Sequence, residues 1–191
     1  LSFALDKYLD KKVTTAVNNS YELAKSYTEE VKTKTQSEII LIAYDLNKSS
    51  KFLKSNINQF KSFLNTQKLI RLVDEIHIIN LKGKPYLSTL KNIKEYNPPL
   101  AKALEMVSND DRPLKILNTY ENQSASLIKL ANYEGKYLYV VKYLDAKISN
   151  YLTTSEEAIN FYYTVLNKQT GIKISFVLIY LVIVALVLFL S

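Results

Sequence analysis

The sequence of 191 residues predicts an α+β domain joined to a membrane-spanning segment. Apolar residues recur at helical spacing from Leu5 to Leu46, and short strand-like segments separated by turn residues follow Glu75. The last 18 residues, 174–191, carry no charge and are almost entirely apolar. A chain of this length is expected to fold around one main core, with helices covering an antiparallel sheet.

The composition excludes several classes of catalytic site. The chain has no Cys, a single His (His77) and only 3 Gly. Thiol chemistry, His/Cys metal sites and glycine-rich phosphate loops each need residues that the chain lacks. A serine nucleophile needs a neighbouring base, and His77 lies in an apolar strand segment, so no catalytic triad is expected. We expect no catalytic residues, no metal site and no cofactor.

The net charge indicates a solvated surface. The formal value of +7 comes from 25 Lys and Arg against 18 Asp and Glu, and the lysines are spread along the whole chain. Nucleic-acid binding needs clustered basic residues with stacking aromatics or a known module, so no nucleic-acid partner is expected. The absence of Cys leaves the compartment open, because a domain of this size does not need disulfides.

Residues 6–74 are interpreted as a helical region, and residues 1–5 as the end of a preceding membrane segment. Neither Gly nor Pro interrupts this region. A helix from Leu5 to Leu46 would be ~60 Å long, so it must project beyond the core or pair with another helix. Ser49 and Ser50 are expected to cap a second helix, and Asn65-Thr66 to mark a restart into a third.

Residues 75–145 are interpreted as the sheet region, with about five strands. A short helix is expected at Leu100–Val107, after Pro98-Pro99. The strand candidates are residues 76–79, 85–90, 114–120, 124–132 and 136–144. A sheet of this kind on a long N-terminal helix is similar in architecture to the PAS-like sensor folds known as PDC or Cache domains, an analogy that carries little about function.

The hairpin between the last two strands contains the candidate ligand site. A two-residue loop at Glu134-Gly135 would place Lys129 opposite Val140, with Lys142 on the same face. The two lysine side chains, among aliphatic neighbours, either extend their ammonium groups into water or line a pocket for a small anionic ligand. The opposite face, which carries several tyrosines, is expected to pack on the long helix. The predicted ligand-binding residues are Lys129, Leu138, Val140 and Lys142.

Residues 146–173 are interpreted as a signalling helix that runs into a transmembrane helix at 174–191. The 18 residues of that run span ~27 Å, against a hydrocarbon core of ~30 Å, and the run reaches the last residue of the sequence, so the span is read as truncated. Gly171 is the expected hinge, or a tolerated residue near the membrane surface. A heptad-spaced seam predicts either a parallel homodimer or packing on the chain's own first helix. Its apolar members are Ile148, Leu152, Ile159, Tyr162 and Leu166.

Three segments carry a more specific resemblance. Residues 16–47 read AVNNSYELAKSYTEEVKTKTQSEIILIAYDLN, residues 126–152 read SLIKLANYEGKYLYVVKYLDAKISNYL, and residues 170–189 continue as TGIKISFVLIYLVIVALVLF. This order resembles the sensor region of NtrY-type nitrogen-regulation histidine kinases, with its AVxNS helix ending in DLN, its YLYVxRxxD strand and its SGIQITF lead into the membrane. Lys129 and Lys142 depart from that pattern, in which Arg is expected, and this weakens the case for bidentate anion recognition.

The resemblance implies an extracytoplasmic sensor region of a two-component kinase in the bacterial inner membrane, with the domain facing the periplasm. The phosphoacceptor His and the ATP-binding domain of such a kinase lie outside this sequence. The positive charge of Lys168 and Lys173 would by itself place their side in the cytoplasm, so the orientation follows the resemblance. Two other interpretations stay open: a single-pass membrane tether that binds a partner through its helices, and the input domain of a chemoreceptor.

Overall fold

The computed structural model describes residues 2–118 and 122–155. Leu1–Leu152 forms one compact unit, and Thr153–Ser191 forms a second, of which the helical residues 153–155 are described. Within the described residues, no helix is both long enough and apolar enough to cross a membrane. The predicted span at 174–191 and the hinge Gly171 lie outside these residues, as do Ile159, Tyr162 and Leu166.

The long N-terminal helix is confirmed as α1, Ser2–Lys48. Residues 7–20 are exposed, whereas Ile39, Ile42 and Leu46 are completely buried. Its 47 residues correspond to ~70 Å, which exceeds the width of the sheet. The C-terminal part of α1 therefore packs on the core, and its N-terminal part projects from it.

Two further helices follow, α2 (Ser50–Ser55) and α3 (Ile57–Arg71), and the break between them differs from the prediction. The Asn56 side chain caps α3 by accepting hydrogen bonds from the backbone N–H groups of Asn58 and Gln59, both at 3.1 Å. The predicted restart at Asn65-Thr66 is wrong, because both side chains donate to carbonyls four residues earlier and the helix continues through them. Ser49 occupies the N-cap position of α2, but its side chain makes no capping hydrogen bond.

The predicted α+β fold with five strands is confirmed. The strands are β1 (Glu75–Ile79), β2 (Pro85–Ser88), β3 (Leu114–Asn118), β4 (Gln123–Lys129) and β5 (Tyr137–Tyr143). All described pairs are antiparallel, in the order β2-β1-β5-β4-β3. A short helix, α4, occupies Ala101–Ser108, close to its predicted position.

The β4–β5 hairpin has a longer loop than the sequence predicts. Its strands close at the bond from the Leu130 N–H to the Lys136 carbonyl (3.1 Å), which leaves residues 131–135 in the loop. Gly135 has a φ of +63°, a conformation that favours glycine. The Tyr133 hydroxyl donates to the Leu46 carbonyl at 3.0 Å, so the loop is attached to the end of α1. Two local turns also hold the loop, closed by the bonds from the Tyr133 N–H to the Leu130 carbonyl (3.3 Å) and from the Lys136 N–H to the Tyr133 carbonyl (3.0 Å).

The two faces of the sheet form two cores. The α1 face, which also receives α2 and α3, is lined by Ile76, Ile78, Leu138 and Val140. The opposite face lies under α4 and carries Ala125, Leu127, Tyr137, Tyr139 and Val141. The expectation that the tyrosine face packs on the long helix is therefore wrong, and the aliphatic face does so.

Candidate functional site

The structure separates the two lysines of the predicted ligand face. Lys129 lies opposite Tyr137, three residues from its predicted partner Val140, and Lys142 lies opposite Ser124. Directly paired residues share a face and successive residues alternate, so a shift by an odd number moves one strand's side chains to the other face. Lys129 is exposed on the tyrosine face, and Lys142 is on the α1 face. The predicted common face is therefore wrong.

Leu138 and Val140 are on the same face as Lys142, but they are completely buried beneath α1. They therefore belong to the core, and a ligand does not reach them there. Of the residues predicted for the ligand site, Lys142 lines a cavity.

That cavity, which we call the α1/β5 pocket, lies between α1, the end of α3 and the end of β5. Its volume is about 240 Å³. It combines aromatic and aliphatic walls with three basic and two acidic side chains. The lining residues are Tyr27, Glu30, Val31, Lys34, Thr35, Glu38, Arg71, Leu72, Val73 and Lys142.

Arg71 is the best-anchored charge of the pocket. Its Nη2 donates to Asp45 Oδ2 at 3.1 Å, its Nε donates to Gln67 Oε1 at 3.3 Å, and its Nη1 is 3.7 Å from Glu38 Oε2. The last distance is an ion pair without a hydrogen bond. Glu38 Oε2 is buried and accepts no hydrogen bond from any described residue. One carboxylate oxygen in the pocket wall thus lacks a donor.

Lys142 is held at the other side of the pocket by Asp74. The Lys142 Nζ is 3.2 Å from Asp74 Oδ2, and both side chains are about one-third exposed. The same Asp74 oxygen accepts the backbone N–H of Tyr143 at 2.8 Å. An ammonium group has three donors, so Lys142 can contact a ligand without leaving Asp74.

A second polar cluster lies on the tyrosine face around His77, which is completely buried. Its Nε2 is 2.7 Å from Glu75 Oε2 and its Nδ1 is 3.0 Å from Ser88 Oγ, while the Tyr143 hydroxyl donates to Glu75 Oε1. Burial raises the pKa of Glu75, but the hydrogen bonds from His77 and Tyr143 outweigh it, so that pKa lies below its ordinary value. Burial, reinforced by Glu75, raises the pKa of Tyr143.

Ser88, His77 and Glu75 are the residue types of a hydrolytic triad, whereas no triad is predicted from the sequence. Their spacing offered a signal, since Glu75 and His77 are two residues apart on one strand and so share a face. However, His77 is inaccessible, and Ser88 Oγ also accepts the Leu90 N–H at 3.0 Å. The contacts of His77 with Glu75 and Ser88, together with the bond from Tyr143 to Glu75, link β1, β2 and β5.

The described part of the predicted seam lies beside α1. Ile148 is half-buried and Leu152 is buried. Ile148 and Tyr151 line a groove of about 600 Å³ with residues Ser20 to Glu30 of α1, and the Tyr151 hydroxyl donates to the Val17 carbonyl at 3.4 Å. Both interpretations of the seam, self-packing and dimerisation, remain predictions. Among the described residues, no group of three His, Asp or Glu side chains is placed to hold a metal ion.

A long helix packed on a five-stranded antiparallel sheet, with a small charged pocket between the helix and the end of β5, defines an α+β domain. The chain belongs to the family described as the NtrY N-terminal region, whose model matches residues 8–187. This confirms the resemblance that the sequence carries.

Curated relatives carry the same name. The chain is 24% identical over 189 residues to the "Nitrogen regulation protein NtrY" of Azorhizobium caulinodans, which covers 98% of this chain and 24% of that protein. It is 27% identical over 198 residues to a "Putative sensor histidine kinase NtrY-like" of Rickettsia conorii, covering 100% of this chain and 32% of that protein. A protein of the same name from Rickettsia felis is also 27% identical. The chain thus spans about a quarter to a third of these relatives' length.

Proposed function

We propose that this chain is the sensory region of a membrane-bound histidine kinase of the nitrogen-regulation type. The family match over residues 8–187 carries this proposal, and the relatives' printed names support it. The catalytic motifs of such a kinase belong to the remaining part of a protein three to four times longer than this chain. In this proposal the chain detects a stimulus and the rest of the protein phosphorylates.

The domain is proposed to lie outside the bacterial inner membrane, facing the periplasm. The uncharged run at 174–191 supports a membrane anchor directly after the domain. The strand order β2-β1-β5-β4-β3, with the long helix on one face, supports the PAS-like, Cache-like assignment of the sheet. Such folds host many ligands, so the fold alone does not identify the stimulus.

The signal is proposed to pass through the terminal helix. Residue 144 and residue 145 alone separate β5 from the helix that begins at residue 146. The Leu144 N–H donates to the Asn122 carbonyl at 2.7 Å, and Asp145 Oδ1 accepts the Lys147 N–H at 2.8 Å, so this junction is firmly bonded. A displacement of β5 would move the helix by about 1–2 Å, as helices do at bistable interfaces. A ligand drives such a shift only if it binds one arrangement more tightly.

Insertion of Gly-Gly-Gly between Gln169 and Thr170 tests this route. The full-length protein is placed in lipid vesicles, and stimulus-dependent autophosphorylation is measured with and without the insertion. We expect the stimulus dependence to disappear while basal autophosphorylation persists. Unchanged stimulus dependence would refute transmission through the helix, and absence of autophosphorylation in the uninserted protein would favour the tether interpretation.

A further inference from the structure

We propose that the α1/β5 pocket binds a small zwitterion of the α-amino acid class. The inference concerns the ligand, and it rests on the proposed sensory function for its biological meaning. It replaces the anionic ligand expected from the sequence, because the pocket that contains Lys142 is not purely basic.

The size of the pocket limits the ligand. Drug-sized ligands occupy cavities of about 300–1,000 Å³. The α1/β5 pocket has about 240 Å³, the volume of about eight water molecules at ~30 Å³ each. A molecule with a few carbon atoms and two charged groups fits this space.

The charge pattern indicates a ligand of both signs. The wall contains Lys34, Arg71 and Lys142 together with Glu30 and Glu38. A simple anion would be attracted by the basic side chains and repelled by the two carboxylates. A simple cation would be attracted by the carboxylates and repelled by the basic side chains. A zwitterion places each of its charges beside the opposite one.

Glu38 Oε2 gives the cationic end of the ligand a specific partner. This oxygen is buried, lacks a hydrogen-bond donor among the described residues and is 3.7 Å from Arg71 Nη1. Burial of an acceptor without a donor costs free energy. The Glu38 side chain is about one-fifth exposed, so a small rotation would present this oxygen to a primary ammonium group, which supplies the missing donor that a simple carboxylate lacks.

Lys142 gives the anionic end its partner. Its ammonium is tied to Asp74 by one contact of 3.2 Å, and it is partly exposed at the pocket. Arg71 uses two of its five N–H donors on Asp45 and Gln67, and its Nη1 lies 3.7 Å from Glu38, so it can add a further donor to the anionic end of the ligand. Tyr27 and Val31 supply the apolar surface for a short side chain.

The position of the pocket gives such a ligand a route to the output. It contacts α1 through Glu38 and β5 through Lys142, and β5 leads within two residues into the terminal helix. A zwitterion that bridges Glu38 and Lys142 therefore fixes the distance between α1 and the end of β5.

The test is isothermal titration of the full-length protein in lipid nanodiscs with the common L-α-amino acids, one at a time. For the tightest amino acid, two analogues are compared: one lacking the amino group and one with the carboxylate converted to an amide. We expect at least one amino acid to bind, and each analogue to bind about tenfold more weakly or worse.

Variants then locate the site. Glu38→Gln and Lys142→Met are expected to weaken binding of that amino acid about tenfold or more. Lys129→Met is the matched control, because Lys129 lies on the same strand pair but is exposed on the opposite face. Circular dichroism checks that each variant is folded. If Glu38→Gln does not fold, the comparison of analogues on the unmodified protein still tests whether the amino group is recognised.

Several outcomes would overturn the inference: no amino acid binds, the deaminated analogue binds as tightly as its parent, or Lys129→Met weakens binding as much as Lys142→Met. Titration does not depend on phosphorylation. Binding without any autophosphorylation would therefore contradict the proposed function alone, and autophosphorylation without binding would contradict this inference alone.

Discussion

Glu75 is the most informative single residue outside the pocket. Its carboxylate is buried and is bonded to both His77 and Tyr143. A buried charge is tolerated when hydrogen bonds replace the water that it loses, and here they keep the pKa of Glu75 below its ordinary value. The charged form is therefore the one that the folded protein stabilises.

The stability of the fold is expected to depend on pH through Glu75. Because its folded-state pKa is lowered, its contribution is present above the ordinary carboxyl pKa of 4.5 and is lost as the pH falls through the folded-state value. Urea unfolding between neutral pH and about pH 2 measures the free energy of unfolding across this range. Glu75→Gln should lower the free energy of unfolding by about 2 kcal/mol at neutral pH. In this variant the free energy of unfolding should also fall less steeply as the pH is lowered.

Asp110 provides the control for this experiment. The Arg112 side chain lowers the pKa of Asp110 to about 2, but the pair lies on the surface. Asp110→Asn should leave the free energy of unfolding almost unchanged at neutral pH, since exposed pairs contribute little. An equal loss in both variants would show that the burial of Glu75 is unimportant.

Among the elements, the C-terminus of α3 contains the clearest local strain. Leu72, at the C-cap, has a φ of +54° and a ψ of +38°, a left-handed conformation in which its Cβ atom crowds the following carbonyl oxygen. Its side chain is 67% exposed, so little packing compensates. The conformation is retained because the chain must turn here from α3 into β1.

Replacing Leu72 by glycine is expected to stabilise the protein by about 1 kcal/mol, because glycine adopts this conformation without the steric cost. Leu69→Gly is the matched control: it is a similarly exposed leucine inside α3, where glycine should cost about 1 kcal/mol. Thermal unfolding of the two variants should give shifts of opposite sign. Shifts of the same sign would contradict the assignment of strain to Leu72.

The sequence predicts the order and type of these elements well, because long apolar periodicities and Gly/Pro signals are local. It does not predict the β4–β5 register, since the loop at 131–135 is held by Tyr133 bonded to Leu46, a contact between distant parts of the chain. An assumed two-residue turn was enough to put Lys129 on the wrong face. The pocket is missed for a similar reason, because Glu38, Arg71 and Lys142 come together only in the folded chain.

For the molecule as a whole, the contact between α1 and the sheet changes character along the helix. Ile39, Ile42 and Leu46 make an apolar end. Toward the pocket the buried α1 residues are Thr28 and Thr35, whose hydroxyls donate to the backbone of their own helix. On the sheet side, Ser124 and Ser126 are fully buried, and their hydroxyls have no partner among the described residues. The α1–sheet interface is therefore packed with apolar side chains at one end, whereas at the other end the buried hydroxyl groups of the described residues form no hydrogen bonds between helix and sheet.

Replacing Ser126 by alanine is expected to stabilise the fold by up to about 1 kcal/mol, because it removes a buried hydroxyl that forms no hydrogen bond. Val140→Ala, at the position directly opposite, should instead cost about 2 kcal/mol through the cavity that it leaves. Urea unfolding separates the two effects. A loss of similar size in both variants would indicate that Ser126 makes a stabilising contact.

The projecting part of α1 is proposed to pair with a second copy in a parallel homodimer. Leu5, Leu9 and Val13 lie one turn apart along it and are at least half exposed, an arrangement that marks interfaces. The chain has no Cys, so single substitutions report proximity. In a cysteine-free full-length protein in vesicles, Val13→Cys should form an intermolecular disulfide, and Thr15→Cys, on the opposite side of the helix, should not. Equal crosslinking at both positions would contradict a defined interface.

The central strand pair also has an evolutionary consequence. β1 and β5 are neighbours in the sheet, and the Asp74 N–H donates to the Val141 carbonyl at 3.0 Å. The first residue of β1 and the last residues of β5 therefore lie next to each other. Everything between residues 75 and 143 is therefore a closed insert with adjacent ends. Such an insert can be exchanged for another that has the same end spacing without changing the course of the helices around it. We expect such an exchange to leave the helical walls of the α1/β5 pocket in place, because Lys142 is the lining residue that lies within the insert.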